Sequence, residues 1–225
     1  TSLVGYIVIG SNGENVHLSA KEKKEVLTTA RENIPPDKLL IAGTGCASTR
    51  ETIALTEQAA GLGADGAIVL NPGYYRKLMT MSALVHHYLR LAESSPIPII
   101  IYNLPPATGI DLTAEMVAEL SQHPNIIGIK DTSGNLPKMG EMVRTVDPAF
   151  QVLAGSASFF YPALAIGVRK EGKMKLEGVL SPIPTPFASD ESVAHEQLAR
   201  NLEKWNRTSL VGYIVIGSNG ENVHL

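Results

Sequence analysis

Lys130 closes the run Asn-Ile-Ile-Gly-Ile at positions 125–129. An ammonium at the mouth of such an apolar strand is desolvated, which favours the neutral, nucleophilic amine, the form that condenses with a carbonyl to a Schiff base. A strand-end lysine taken alone is more often a snorkelling or paired charge. Tyr102 ends another apolar run, 97–102, where its phenol could carry protons between a substrate and an amine. A tyrosine so placed is also commonly a satisfied core residue. The loop Gly10-Ser11-Asn12-Gly13 offers successive backbone N–H groups with small side chains, which suits a carboxylate, though glycine-rich turns more often only reverse the chain. His86 and His87 have no carboxylate or cysteine at ligand spacing, so a helix-packing role and no metal are expected.

These residues follow a regular alternation of short apolar runs and amphipathic stretches, the pattern of a parallel α/β fold. Strands are expected at 4–9, 39–42, 67–70, 97–102, 126–130 and 152–154. The intervening helices carry their inner faces on Val26, Leu27, Ala30 and Ile34, on Leu84, Tyr88, Leu91 and Ala92, on Met116, Val117 and Leu120, and around 139–146, with an apolar helix at 158–166. Ser19 with Glu22 and Ser48 with Glu51 have the spacing of capping boxes. A further strand near 176–180 precedes a helix with Leu198, Leu202 and Trp205 on one face. With a second copy of the first strand after it, the count reaches eight. In an eight-stranded βα barrel the active site lies at the carboxyl ends of the strands. Gly10 to Glu14, Thr44, Pro72 to Tyr75, Tyr102 with Asn103, Lys130 to Thr132, and Gly155 with Ser156 should therefore face one rim.

Residues 1–18, TSLVGYIVIGSNGENVHL, recur unchanged as 208–225. Natural repeat arrays drift and run to three or more units, so an identical pair at the two ends suits a joined or circularised reading frame better than a solenoid. The basic stretch 168–175 reads as a solvated junction. The chain starts Thr-Ser-Leu-Val-Gly, without an initiator Met or charged leader, and reads as an interior fragment. With 225 residues, 44% hydrophobic and 18% charged, one globular domain is expected. The net charge of −3 gives no basis for a nucleic-acid partner, and no apolar run approaches the ~20 residues of a membrane helix. Cys46 has no disulfide partner in the chain, which fits a reducing compartment. A cytoplasmic location is expected, or an organellar one had a leader been lost.

The motifs GSNGE at 10–14, NPGYY at 71–75, YNLPPATG at 102–109, GIKDTSG at 128–134 and LAGSA at 153–157 together resemble the dihydrodipicolinate synthase and N-acetylneuraminate lyase family of pyruvate-dependent class I aldolases. The likeness covers residues 1–167 and resumes over 176–225, where GVLSPIPTPF resembles the start of the family's chain. It implies a TIM (β/α)8-type barrel, no cofactor, a small 2-oxo acid substrate and a homo-oligomer. It also implies that Lys130 forms the imine and that Tyr102 acts as general acid and base. Tyr74 matches the position that assists the catalytic tyrosine, in some members across a subunit contact. Ser11 and Asn12 stand where the family binds the 2-oxo carboxylate, and Thr132, Gly155 and Ser156 would line the pocket.

Synthases of the family place an arginine two residues after the proline of YNxP, where Ala107 stands here. The Ser-Asn pair, the YYR sequence and SQHPNIIGIKD look most like 4-hydroxy-2-oxoglutarate aldolases, which yield pyruvate and glyoxylate. Dihydrodipicolinate synthase and 2-keto-3-deoxygluconate aldolase activities are the alternatives, and a non-catalytic rearranged product that keeps the catalytic residues is another. The chain departs from the family in lacking an eighth strand and the C-terminal helices. The expected organisation is therefore an incomplete or circularly permuted barrel: units two to seven at 1–167, the junction at 168–175, and the family's N-terminal unit at 176–225. That last unit would fill the vacant positions or dock on another molecule. Of the two copies of the first strand, the N-terminal one, still attached to its own helix, should take the barrel position.

Overall fold

The computed structural model describes residues 3–167 and 179–207. In chain order the elements are β1 (Leu3–Val8), α1 (Ala20–Asn33), β2 (Leu39–Gly43), α2 (Thr49–Gly61), β3 (Gly66–Leu70), α3 (Met81–Ser94) and β4 (Ile99–Asn103). They continue with α4 (Pro105–Thr108), α5 (Ala114–Leu120), β5 (Ile126–Asp131), α6 (Leu136–Thr145), β6 (Gln151–Ala154), α7 (Phe160–Ala165), β7 (Val179–Pro182) and α8 (His195–Arg207). The helices start where the sequence supplies caps. Ser19 and Glu22 form a reciprocal capping box on α1, and the Ser48 hydroxyl accepts from the Glu51 N–H on α2. The helix expected at 158–166 is split into a 3-10 turn at Ala157–Phe159 and the short α7.

The seven strands among the described residues are parallel and form one sheet in the order β6-β5-β4-β3-β2-β1-β7. Six follow one another in chain order, and β7 adds on the far side of β1, pairing Leu3 with Val179 and Ile7 with Pro182. A proline fits there because β7 is an edge strand among the described residues. β6 is the other edge, so the described sheet is a partial barrel. The eighth strand expected from the second copy of the first segment lies outside the described residues, as does the junction at 168–175. The N-terminal copy supplies β1, between β2 and β7.

Strand side chains alternate between faces, and the apolar clusters divide accordingly. Ile7, Ile41, Ile68, Ile100, Tyr102 and Ile127 form an inner cluster. On the outer face Ala67, Val69, Ile99, Ile101 and Ile129 pack against α3, α5 and α6 through Leu84, Tyr88, Val117 and Met139. Tyr6, Val8, Leu40 and Ala42 pack against α1 and α8 through Val26, Leu27, Leu198 and Leu202. Polar bonds bind α8 to the same wall: the Tyr6 hydroxyl donates to Asn206 Oδ1 at 2.6 Å, and Asn206 Nδ2 donates to the Asn33 carbonyl at 2.8 Å.

Close strand approach at one point depends on a missing side chain. A Cβ at Gly5 of β1 would lie 2.4 Å from the Leu39 carbonyl oxygen and 2.7 Å from the Leu39 Cβ. Gly5→Val must therefore push β1 from β2. The expected result is a loss of about 2 kcal/mol or more, the range for overpacking, read as a lower urea midpoint.

Candidate active site

β4 and β5 bring the two predicted reactive groups together. Their register pairs Tyr102 with Lys130 and Asn103 with Asp131. Alternation places the first pair on the inner face and the second behind it. The Lys130 Nζ lies 4.4 Å from the centroid of the Tyr102 ring, and both residues are 5% exposed. On the other side of β5, Lys130 pairs in register with Leu153 of β6, an apolar residue packed against the inner cluster. Burial lowers the Lys130 pKa to about 8. Burial likewise raises the Tyr102 phenol, while a hydrogen bond with the Ser11 hydroxyl acts in the opposite direction.

That bond ties the glycine loop to the pair. The chain leaves β1 through Ile9 at φ 49°, a left-handed value costly for a β-branched residue, and Ser11–Gly13 then forms one 3-10 turn. Ser11 and Asn12 are exposed at the carboxyl end of the sheet. The turn is buttressed from the far end of the chain, since Thr185 Oγ1 donates to the Gly13 carbonyl at 2.8 Å. At β6, the Gly155 N–H donates to the Asp131 carbonyl at 2.7 Å. A Cβ on Gly155 would meet Thr132 Cγ2 at 2.2 Å, so only glycine lets this turn close on Thr132. The Thr132 hydroxyl donates to the Asn103 carbonyl, and Ser156, half-buried, caps the turn that follows through the Ser158 N–H.

Two residues expected at one rim serve the helix layer instead, while a third, Tyr74, lies in solvent. Tyr74 is 82% exposed and stacks edge-on with Tyr75 at 4.9 Å. Thr44 is fully buried and accepts a 2.8 Å bond from Thr56 of α2, so it serves the helix layer. Asn103 is turned to the helix side for the same reason of strand alternation. His87 is buried against Tyr88, with Nδ1 2.9 Å from the Thr49 hydroxyl; burial, aided by His86, lowers its pKa to about 4.

A buried polar group behind the pair was not foreseen. Asn103 Nδ2 donates to Asp111 at 2.7 Å and to Asp131 at 2.9 Å, and Lys138 of α6 bonds to both carboxylates. The signal was available in principle: Asn103 and Asp131 directly follow Tyr102 and Lys130, so alternation aims two polar side chains into a layer that should be apolar.

The dihydrodipicolinate synthetase family matches residues 2–171. The chain belongs to this family. Over 172 residues it is 41% identical to a probable mitochondrial 4-hydroxy-2-oxoglutarate aldolase of Emericella nidulans, covering 74% of the chain and 56% of that relative. It is 42% identical over 163 residues to a 4-hydroxy-tetrahydrodipicolinate synthase of Syntrophus aciditrophicus, covering 72% and 55%. The chain thus spans about half the length of the curated relatives it matches. Among solved structures, a dihydrodipicolinate synthase from Bacillus anthracis superposes with a TM-score of 0.71 at 28% identity, covering 76% of the chain and 58% of its own. A chloride-inhibited synthase from Acinetobacter baumannii, solved with pyruvate, gives 0.69 at 33% identity, covering 75% and 57%. Members of the family are lyase and aldolase enzymes acting on small molecules. No helix among the described residues is long and apolar enough to cross a membrane.

The lowered pKa of Lys130 makes stability depend on pH. A group with a folded pKa of about 8 and an ordinary value of 10.5 favours folding fully above about 10.5, and that contribution is lost as pH falls through about 8. Lys130→Met removes the buried amine. At pH 7 the variant is expected to be more stable by roughly 3 kcal/mol, and the advantage should vanish towards pH 10.5. Urea unfolding of both proteins across this range measures it.

Proposed function

We propose that this chain carries the site of a Schiff-base aldolase that cleaves 4-hydroxy-2-oxoglutarate to pyruvate and glyoxylate. The observation that carries the proposal is the inward pairing of a depressed-pKa lysine with a buried tyrosine on adjacent strands. A neutral Lys130 amine attacks the C2 ketone, and loss of water leaves an iminium that draws electrons from the C3–C4 bond. Removal of the C4 hydroxyl proton breaks that bond and releases glyoxylate. The remaining enamine takes a proton at C3, and water then frees pyruvate and restores the amine. Tyr102, hydrogen-bonded to Ser11, is the group placed to shuttle these protons.

The Ser11–Gly13 turn, with Asn12, is assigned to the carboxylate next to the ketone, and Thr132, Gly155 and Ser156 to the pocket wall. The similarity to the Emericella nidulans relative and Ala107, exposed on α4 where synthases carry arginine, favour cleavage of the hydroxy-oxo acid over synthase activity. Tyr74 is exposed to solvent, which fits a role towards a second copy in a homo-oligomer. Residues 179–207 are read as the family's first strand and helix relocated in the chain, because β7 and α8 pack where a unit preceding β1 belongs.

Borohydride reduction in the presence of pyruvate, followed by peptide mass spectrometry, tests the proposal. A reduced adduct on Lys130 is expected, absent in Lys130→Ala; a soluble protein with no adduct supports the non-catalytic alternative. Tyr102→Phe should still form the adduct while its kcat for glyoxylate release falls about a hundredfold or more.

A further inference from the structure

The polar group behind the reactive pair is unusually complete. Asp131 is fully buried, and its carboxylate takes four bonds. Oδ1 accepts from the Ser133 N–H at 2.7 Å and the Ser133 hydroxyl at 2.5 Å; Oδ2 accepts from Asn103 Nδ2 at 2.9 Å and Lys138 Nζ at 3.1 Å. Asn103 is equally satisfied, since its Oδ1 accepts the Leu112 N–H at 3.1 Å and its Nδ2 bonds to both aspartates. Lys138 links the group to α6, with its side chain only 11% exposed, and also bonds to Asp111. A buried carboxylate without a counter-charge is strongly unfavourable, so this arrangement depends on the Lys138 cation.

We propose that Lys138 is a positioning residue for the Lys130–Tyr102 pair. By holding Asp131 and Asp111 behind β4 and β5, it fixes the strand ends that present the amine and the phenol, and it neutralises the carboxylate next to Lys130 in the chain. The inference rests on the aldolase proposal for its catalytic meaning, but the geometry stands without it. β4 places the Tyr102 ring against the amine, Leu153, packed against the inner cluster, pairs with Lys130 in the β5–β6 register, and Asp131 follows Lys130 on the opposite face of β5. Burial alone lowers the Lys130 pKa. A freed Asp131 charge would add the missing opposing influence, because a nearby anion favours the ammonium.

The test follows the Lys130 Cε resonance through a pH titration of [13C]lysine-labelled protein, assigned by its absence in Lys130→Met. Lys138→Met should raise the midpoint by about one pH unit, leaving about tenfold less free amine at neutral pH. Asp131→Asn should lower it, and the double variant Lys138→Met/Asp131→Asn should return towards the parent value. A packing role alone would not reverse sign between the two single variants. An unchanged midpoint in Lys138→Met, or a double variant that keeps the full upward shift, overturns the proposal. Should Lys138→Met not fold, an unchanged midpoint in Asp131→Asn overturns it and a lowered one supports it. The resonance reports on the amine whether or not pyruvate binds, so parallel borohydride trapping separates failure of the aldolase proposal from failure of this one.

Discussion

The register between β4 and β5 is the constraint on which the site depends. Parallel pairing of Tyr102 with Lys130 places a phenol and an amine side by side on the inner face, and the same pairing puts Asn103 and Asp131 side by side behind them. A slip of β5 by one residue would send Lys130 and Asp131 to the wrong faces. The amine would then meet α6, and the carboxylate would enter the inner cluster. The buried hydrogen bonds of Asn103 and Asp131 favour this register as well as stabilising it, since Asn103 and Asp131 are fully bonded in it and a buried polar group left unpaired is costly.

Desolvation does the chemical work on Lys130. The inner face beneath it is aliphatic, with Ile7, Ile41, Ile68 and Ile100 in one cluster, and the amine lies over the Tyr102 ring. Charge is present nearby but is confined to the other face of the strand, where Lys138 is shared between two aspartates. The backbone of β5 thus separates an apolar compartment that depresses an amine from a polar compartment that fixes the strand.

The glycine loop shows how distant parts of the chain converge. Its 3-10 turn bonds to Tyr102 through Ser11 on one side and receives Thr185 on the other, 172 residues away in sequence. The β7–α8 unit therefore contributes to the site without supplying a reactive group. It also covers the open side of β1, burying Leu198 and Leu202 against α1 and the strand layer.

Much of this was legible from residue order alone. Apolar runs of three to six residues marked the strands, Ser-x-x-Glu spacing marked two helix starts, and a lysine and a tyrosine at strand ends marked two residues that the structure brings side by side. Local pattern determines these things because strand and helix periods and cap geometry are set within a few residues. What the tertiary structure decided was which way each strand end faces. Thr44 and Asn103 follow apolar runs just as Lys130 does, yet they serve the helix layer, because the pleat alternates and its phase at a strand end is fixed only by pairing with neighbours. The placement of β7 beside β1, and of Lys138 between Asp111 of the α4–α5 loop and Asp131 of β5, was likewise invisible in one dimension. Both join separate elements, chosen by burial and charge pairing that exist only once the strands have been brought together.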